Sequence, residues 1–159
     1  LGGVEEVEIV KYKTRFGDSG LPEVVKEEAY EWDEMILNSP DKVEKMMKSV
    51  FRLHKETEEY LYEICFNARM KSIAVFEVSH GTVNASLVSP REVYQKALLV
   101  GSVYVMVAHN HPSGDPAPSE EDDKIAEKLK EAGALIGIDL IDFIIVGDSC
   151  YSYRQALKL

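Results

Sequence analysis

Residues Ala108 to Asp122 read A-H-N-H-P-S-G-D-P-A-P-S-E-E-D and follow directly on the apolar run Val103 to Val107. An extended chain sends residues two apart to the same face, so His109 and His111 present both imidazoles at the end of a buried strand. Pro112, Pro116 and Pro118, with Gly114, then stiffen a turn-rich loop. Ser119 opens an S-x-x-D helix start, which sets Asp122 one turn inside a helix and aims it back at the two histidines. Two histidines and one aspartate are an open three-ligand set of the kind catalytic zinc uses, with the fourth position left for water. The same residues also read as packed strand-end histidines followed by a plain capping box. Asp115 reads as a turn former, and His80 as a surface histidine.

The rest of the chain bounds what such a site can serve. At 159 residues, 45% hydrophobic and 29% charged, it suits a single domain with a real core. No apolar run approaches a membrane span, and the start lacks the basic-then-apolar form of a secretion signal, so a soluble, cytoplasmic chain is expected, with no membrane partner. Cys65 and Cys150 form no C-x-x-C pair and read as buried free thiols. The formal charge of -10 opposes nonspecific attraction to phosphates, so nucleic acid is not an expected partner. Lys11, Lys13 and Arg15, and Arg52 with Lys55, are small basic groups that read as solvated faces.

Periodicity predicts mixed strands and helices around one sheet. Val7, Ile9 and Tyr12 alternate as an edge strand before the turn Gly17 to Gly20, and Val24, Val25 and Tyr30 suggest a short helix. Trp32 reads as a core or partner-facing anchor. Ser39-Pro40 caps a helix whose stripe is Val43, Met46, Met47, Val50 and Phe51. Tyr60 to Asn67 reads as a strand covered on both sides, Ala68 to Lys71 as its turn, and Ser72 to Val78 as a second strand with Ile73, Val75 and Glu77 on one face. On the residues alone, Glu77 is a strand-end carboxylate exposed to water. Ser89-Pro90-Arg91-Glu92 is an S-x-x-E capping box, and Gly133 is the expected end of the helix that begins at Ser119. Ile138 to Val146 reads as a near-continuous apolar strand, and Gly147-Asp148 turns the chain into a short one over Tyr151 to Tyr153.

The pattern H-N-H-P-S-G-D-P-x-P-S-x-x-D, preceded by E-x-x-x-G-T-x-N-A-S and by S-P-R-E-V, resembles the RadC-like branch of the JAMM (MPN-plus) metalloproteins over Ser39 to Ser152. The resemblance implies a mixed α/β, cytidine-deaminase-like domain over residues 39–159, with residues 1–38 as an N-terminal extension carrying an edge strand. It implies that His109, His111 and Asp122 bind Zn²⁺, that Glu77 is the general acid/base on the zinc-bound water, and that Ser119 helps hold the tetrahedral intermediate. The reaction it implies is hydrolysis of a peptide or isopeptide amide in an unidentified peptide or protein substrate. A nucleic-acid-associated protein and a metal-stabilised binding module without turnover are the alternatives. Three departures stand out: nothing before Ser39 has a helix-hairpin-helix pattern, Asp142-Phe143 stands where the family commonly has Asp-His, and no long insertion separates the motifs. Oligomeric state is left open.

Overall fold

The apolar runs expected as strands join one mixed sheet. In the computed structural model, which describes residues 7–159, the chain order is β1 (Glu8–Phe16), β2 (Pro22–Glu31), α1 (Pro40–Ser49), a 3-10 turn (Leu53–Lys55), β3 (Tyr60–Phe66), β4 (Ser72–His80), α2 (Pro90–Leu99), β5 (Tyr104–Asn110), α3 (Glu120–Ile136), β6 (Asp139–Val146) and β7 (Cys150–Ser152). The seven described strands lie in the order β2-β1-β4-β3-β5-β6-β7. The β1–β4 and β5–β6 pairs are parallel and the others antiparallel. Parallel neighbours need a long crossover, and between β5 and β6 α3 supplies it.

Helices cover both faces, which is why β3, β5 and β6 read as nearly unbroken apolar runs. On one face Leu61, Cys65, Phe76, Val105, Val107 and Phe143 pack beneath Val93 and Ala97 of α2 and Ile125 and Leu129 of α3. On the other, Tyr62, Ile64, Val75, Met106, Ala108 and Ile144 pack against Val43, Met46 and Met47 of α1. Successive residues of β5 therefore alternate between two separate cores, and a side chain's face decides which helices it can meet.

The N-terminal expectations need correction. The strand expected at the edge is β1, which lies second from it. The edge is β2, formed where a short helix was expected. A turn closed by Gly20 N–H on the Gly17 carbonyl (2.9 Å) folds the two back, pairing Ile9 with Tyr30 and Thr14 with Val24. β-Branched and aromatic residues fit a pleated surface once a partner strand is present, and pairing overrides the weak helical pattern. Half-buried Trp32 carries Lys45 Nζ 5.6 Å from its ring centre.

Helix starts follow the sequence more closely. Ser39 Oγ accepts the Lys42 N–H at 3.4 Å. α2 begins at Pro90, but Ser89 makes no side-chain cap, because the Glu92 N–H bonds the Ser89 backbone carbonyl at 3.1 Å. α3 runs past Gly133 to a left-handed cap at Gly137, φ 88°. Gly133 is instead a packing position: a Cβ there would stand 2.4 Å from the Tyr94 hydroxyl. Among the described residues no helix is long and apolar enough to cross a membrane.

Candidate metal centre

β5 and α3 converge at the H-x-H loop. The β5 ladder continues one residue beyond the strand, with the His111 N–H donating to the Val146 carbonyl at 3.0 Å, so both histidines keep the face occupied by Val105 and Val107. The Ser119–Asp122 box starts α3 against the same face: Ser119 Oγ accepts the Asp122 N–H at 3.1 Å, and Asp122 Oδ2 accepts the Ser119 N–H at 2.8 Å. Asp122 and His109 are each 1% exposed, so neither can rely on water for solvation. Glycines let the two loops close: a Cβ on Gly147 would meet the Gly114 carbonyl oxygen at 2.3 Å.

The two imidazoles are oriented by backbone carbonyls. His109 Nδ1 lies 2.8 Å from the Tyr60 oxygen and His111 Nδ1 2.8 Å from the Asp115 oxygen. A carbonyl can only accept, so both hydrogens sit on Nδ1 and both Nε2 atoms carry lone pairs. Those lone pairs face a carboxylate: His111 Nε2 is 3.0 Å from Asp122 Oδ2, and His109 Nε2 is 3.5 Å from Asp122 Oδ1. Three electron-pair donors within 4.8 Å of one another need a cation among them, either a proton or a metal ion. The donor set fits zinc, and Asp115, expected as a turn former, turns out to orient His111 through its backbone.

Titration of these groups follows from the same geometry. Burial lowers the pKa of His109. The hydrogen bond to Asp122 raises that of His111. Burial pushes Asp122 upward, but its bonds to His111 and to Ser119 outweigh this and hold it below the usual carboxylate value.

Glu77 does not join the cluster, and the expectation that it faces the histidines is corrected. Glu77 pairs with Tyr62 in the β4–β3 ladder, and Tyr62 pairs with Ala108 of β5, so Glu77 lies on the face opposite His109. Its side chain is exposed and meets Lys11 Nζ at 3.8 Å. An irregularity between Leu61 and Tyr62 inserts one extra residue on β4 and helps set this register. The plain reading of Glu77 as a solvated strand-end carboxylate describes where it is.

Glu59 is the carboxylate that the sequence reading passed over. Leu61 pairs with His109, so continuing that register brings Glu59 across from His111 on the same face. Asn110 clamps this segment: its Oδ1 accepts the Tyr60 N–H at 2.7 Å and its Nδ2 donates to the Glu58 carbonyl at 2.9 Å. The Val83 N–H holds Glu59 Oε2 at 3.1 Å, and the charge of the half-buried Glu59 carboxylate opposes the lowering of His109 by burial and adds to the rise of His111. The available signal was its spacing, two residues before Leu61 on a strand beside β5, which needs the strand order to be read. Glu63, four residues on, is wholly buried, with Oε2 lacking a hydrogen-bond partner. Burial pushes its carboxyl up to about 8.

Residues 37–158 match the RadC-like JAB domain family. The chain is 43% identical over 115 residues to a UPF0758 protein of Alkaliphilus metalliredigens, covering 72% of this chain and 49% of that protein. A UPF0758 protein of Methanosarcina acetivorans is 45% identical over 100 residues, 63% of this chain and 44% of that one. One from Clostridium novyi is 40% identical over 119 residues, 75% of this chain and 51% of that one. The chain thus spans about half the length of the curated relatives it matches.

Proposed function

The chain belongs to the RadC-like JAB domain family, and from that premise we propose that it is a zinc-dependent hydrolase of a peptide or isopeptide amide bond. The observation that carries the reading is the convergence of the His109 and His111 Nε2 lone pairs on the Asp122 carboxylate. In this reading His109, His111 and Asp122 hold the ion. A bound zinc supplies Lewis acidity, polarising a carbonyl and lowering the pKa of a water to about 7.

The chain's own residues divide the remaining work. Glu59, held by the Val83 N–H, takes a proton and returns it to the leaving amine in this reading, supported by its contribution to the field at both histidines. Ser119 accepts the Asp122 N–H through its hydroxyl oxygen, so its own O–H stays free to donate to a developing oxyanion. The Tyr60 and Asp115 carbonyls keep both imidazoles in one tautomer.

The test is a panel of peptide and isopeptide substrates incubated with the zinc-loaded chain before and after chelation. Cleavage that disappears with the metal supports the reading. A fully loaded protein that cleaves nothing in the panel favours a metal-stabilised binding module.

A further inference from the structure

We propose that the cleft beside His111 is a subsite for a carboxylate of the substrate, so that the amide cleaved lies in an acidic peptide segment. The proposal rests on the hydrolase reading above and adds a substrate class to it.

The cleft holds ≈ 250 Å³ and is lined on one side by Lys48, His54 and Lys55 and on the other by His111, Ser113 and Asp148. That is below the about 300–1,000 Å³ of sites that enclose a whole small ligand, and it suits a side chain from a longer peptide. His111 belongs both to the cleft and to the ligand cluster; the cleft opens on its α1 side and the cluster on its α3 side, so a group bound here reaches the centre from across His111.

Its charge is unusual for a chain with a net -10. Lys48 pairs with Glu44 at 2.5 Å, whereas among the described residues Lys55 makes no ion pair and is exposed. Asp148 is the acid of the lining, and its carboxylate is turned over the loop, 2.7 Å from where a Gly114 Cβ would stand. The imidazole of His54 registers the field: burial, then Lys55, Lys48 and Arg52, lower its pKa.

The positive wall is also built in place. Buried Leu53 anchors the 3-10 turn, and Arg52, a non-glycine residue at φ 52°, reverses the chain so that His54 and Lys55 enter the cleft. Glu58 and Glu59 stand beside Asn110 and Val83, outside the cleft lining, so Lys55, among the described residues the unpaired lysine of the lining, is the group that draws a peptide carboxylate.

Calorimetric titration of the zinc-loaded chain with an acetylated, amidated tetrapeptide containing two glutamates is the test, beside its glutamine counterpart and inorganic phosphate. The glutamate peptide should bind about fivefold more tightly than the glutamine peptide, a preference that Lys55→Glu abolishes and Lys13→Glu, on β1, preserves. Equal binding of the two peptides, or a preference that survives Lys55→Glu, overturns the subsite. So does phosphate that binds the cleft more tightly than the glutamate peptide. The measurement needs no turnover: a chain that cleaves nothing yet shows the Lys55-dependent preference sinks the hydrolase reading alone, and one that cleaves without the preference sinks the subsite alone.

Discussion

His109 donates from Nδ1 to the Tyr60 carbonyl at 2.8 Å, tying the middle of the candidate centre to a neighbouring strand rather than to the loop that carries the motif. The bond sets the tautomer of His109 and brings the β3 entrance, with Glu59, alongside the ligands.

The purified chain should hold about one zinc ion, since three protein ligands leave a single open position. Elemental analysis of the wild type and of a His109→Ala, His111→Ala double variant checks this. The variant should be nearly metal-free; an undiminished zinc content would remove the assignment.

Glu59 and Glu77 should behave differently. Glu59→Gln keeps size and shape while removing the base, so zinc should stay and hydrolysis should fall by on the order of a hundredfold or more. Glu77→Gln, on the opposite face, should leave both unchanged. Parallel zinc content and kcat measurements decide between them, and a large loss confined to Glu77→Gln would reverse the assignment.

Ser119 has a structural role alongside the catalytic one proposed for it. Ser119→Ala should cost about 1 kcal/mol in denaturant unfolding through loss of the cap. If its free O–H also serves an oxyanion, kcat should drop by on the order of a hundredfold at full zinc loading, with Ser119→Thr restoring both. A stability loss with kcat intact would leave only the cap.

Buried Glu63 should make stability fall as pH rises. Its carboxyl titrates at about 8 in the fold against 4.5 without burial, so between these values the unfolded chain has already released the proton that the folded one keeps. Its contribution is complete below the lower value and declines up to the higher one, by roughly 3–5 kcal/mol. Glu63→Gln should flatten that part of the difference in unfolding free energy between pH 5 and pH 8. Identical pH profiles for the two proteins would show that Glu63 is already ionised in the fold.

Local order along the chain was enough for the elements that short-range physics controls. The H-x-H strand end, the proline-stiffened loop and the Ser119–Asp122 box depend on residues a few positions apart, and they meet as the periodicity of strand and helix requires. The start of α1, the β3–β4 hairpin and the two-sided burial of β3 were legible for the same reason. What the tertiary structure decided depends on long-range pairing. Val24, Val25 and Tyr30 became a strand only because β1 offered a partner, and Glu77 lost its place at the centre to the β4–β3 register. Glu59 gained one because β3, not β4, lies beside β5, and the cleft at Lys55 exists only where α1 and its following turn approach the His111 loop. A one-residue difference in register turns a side chain to the other face, and no pattern within a single strand records that choice.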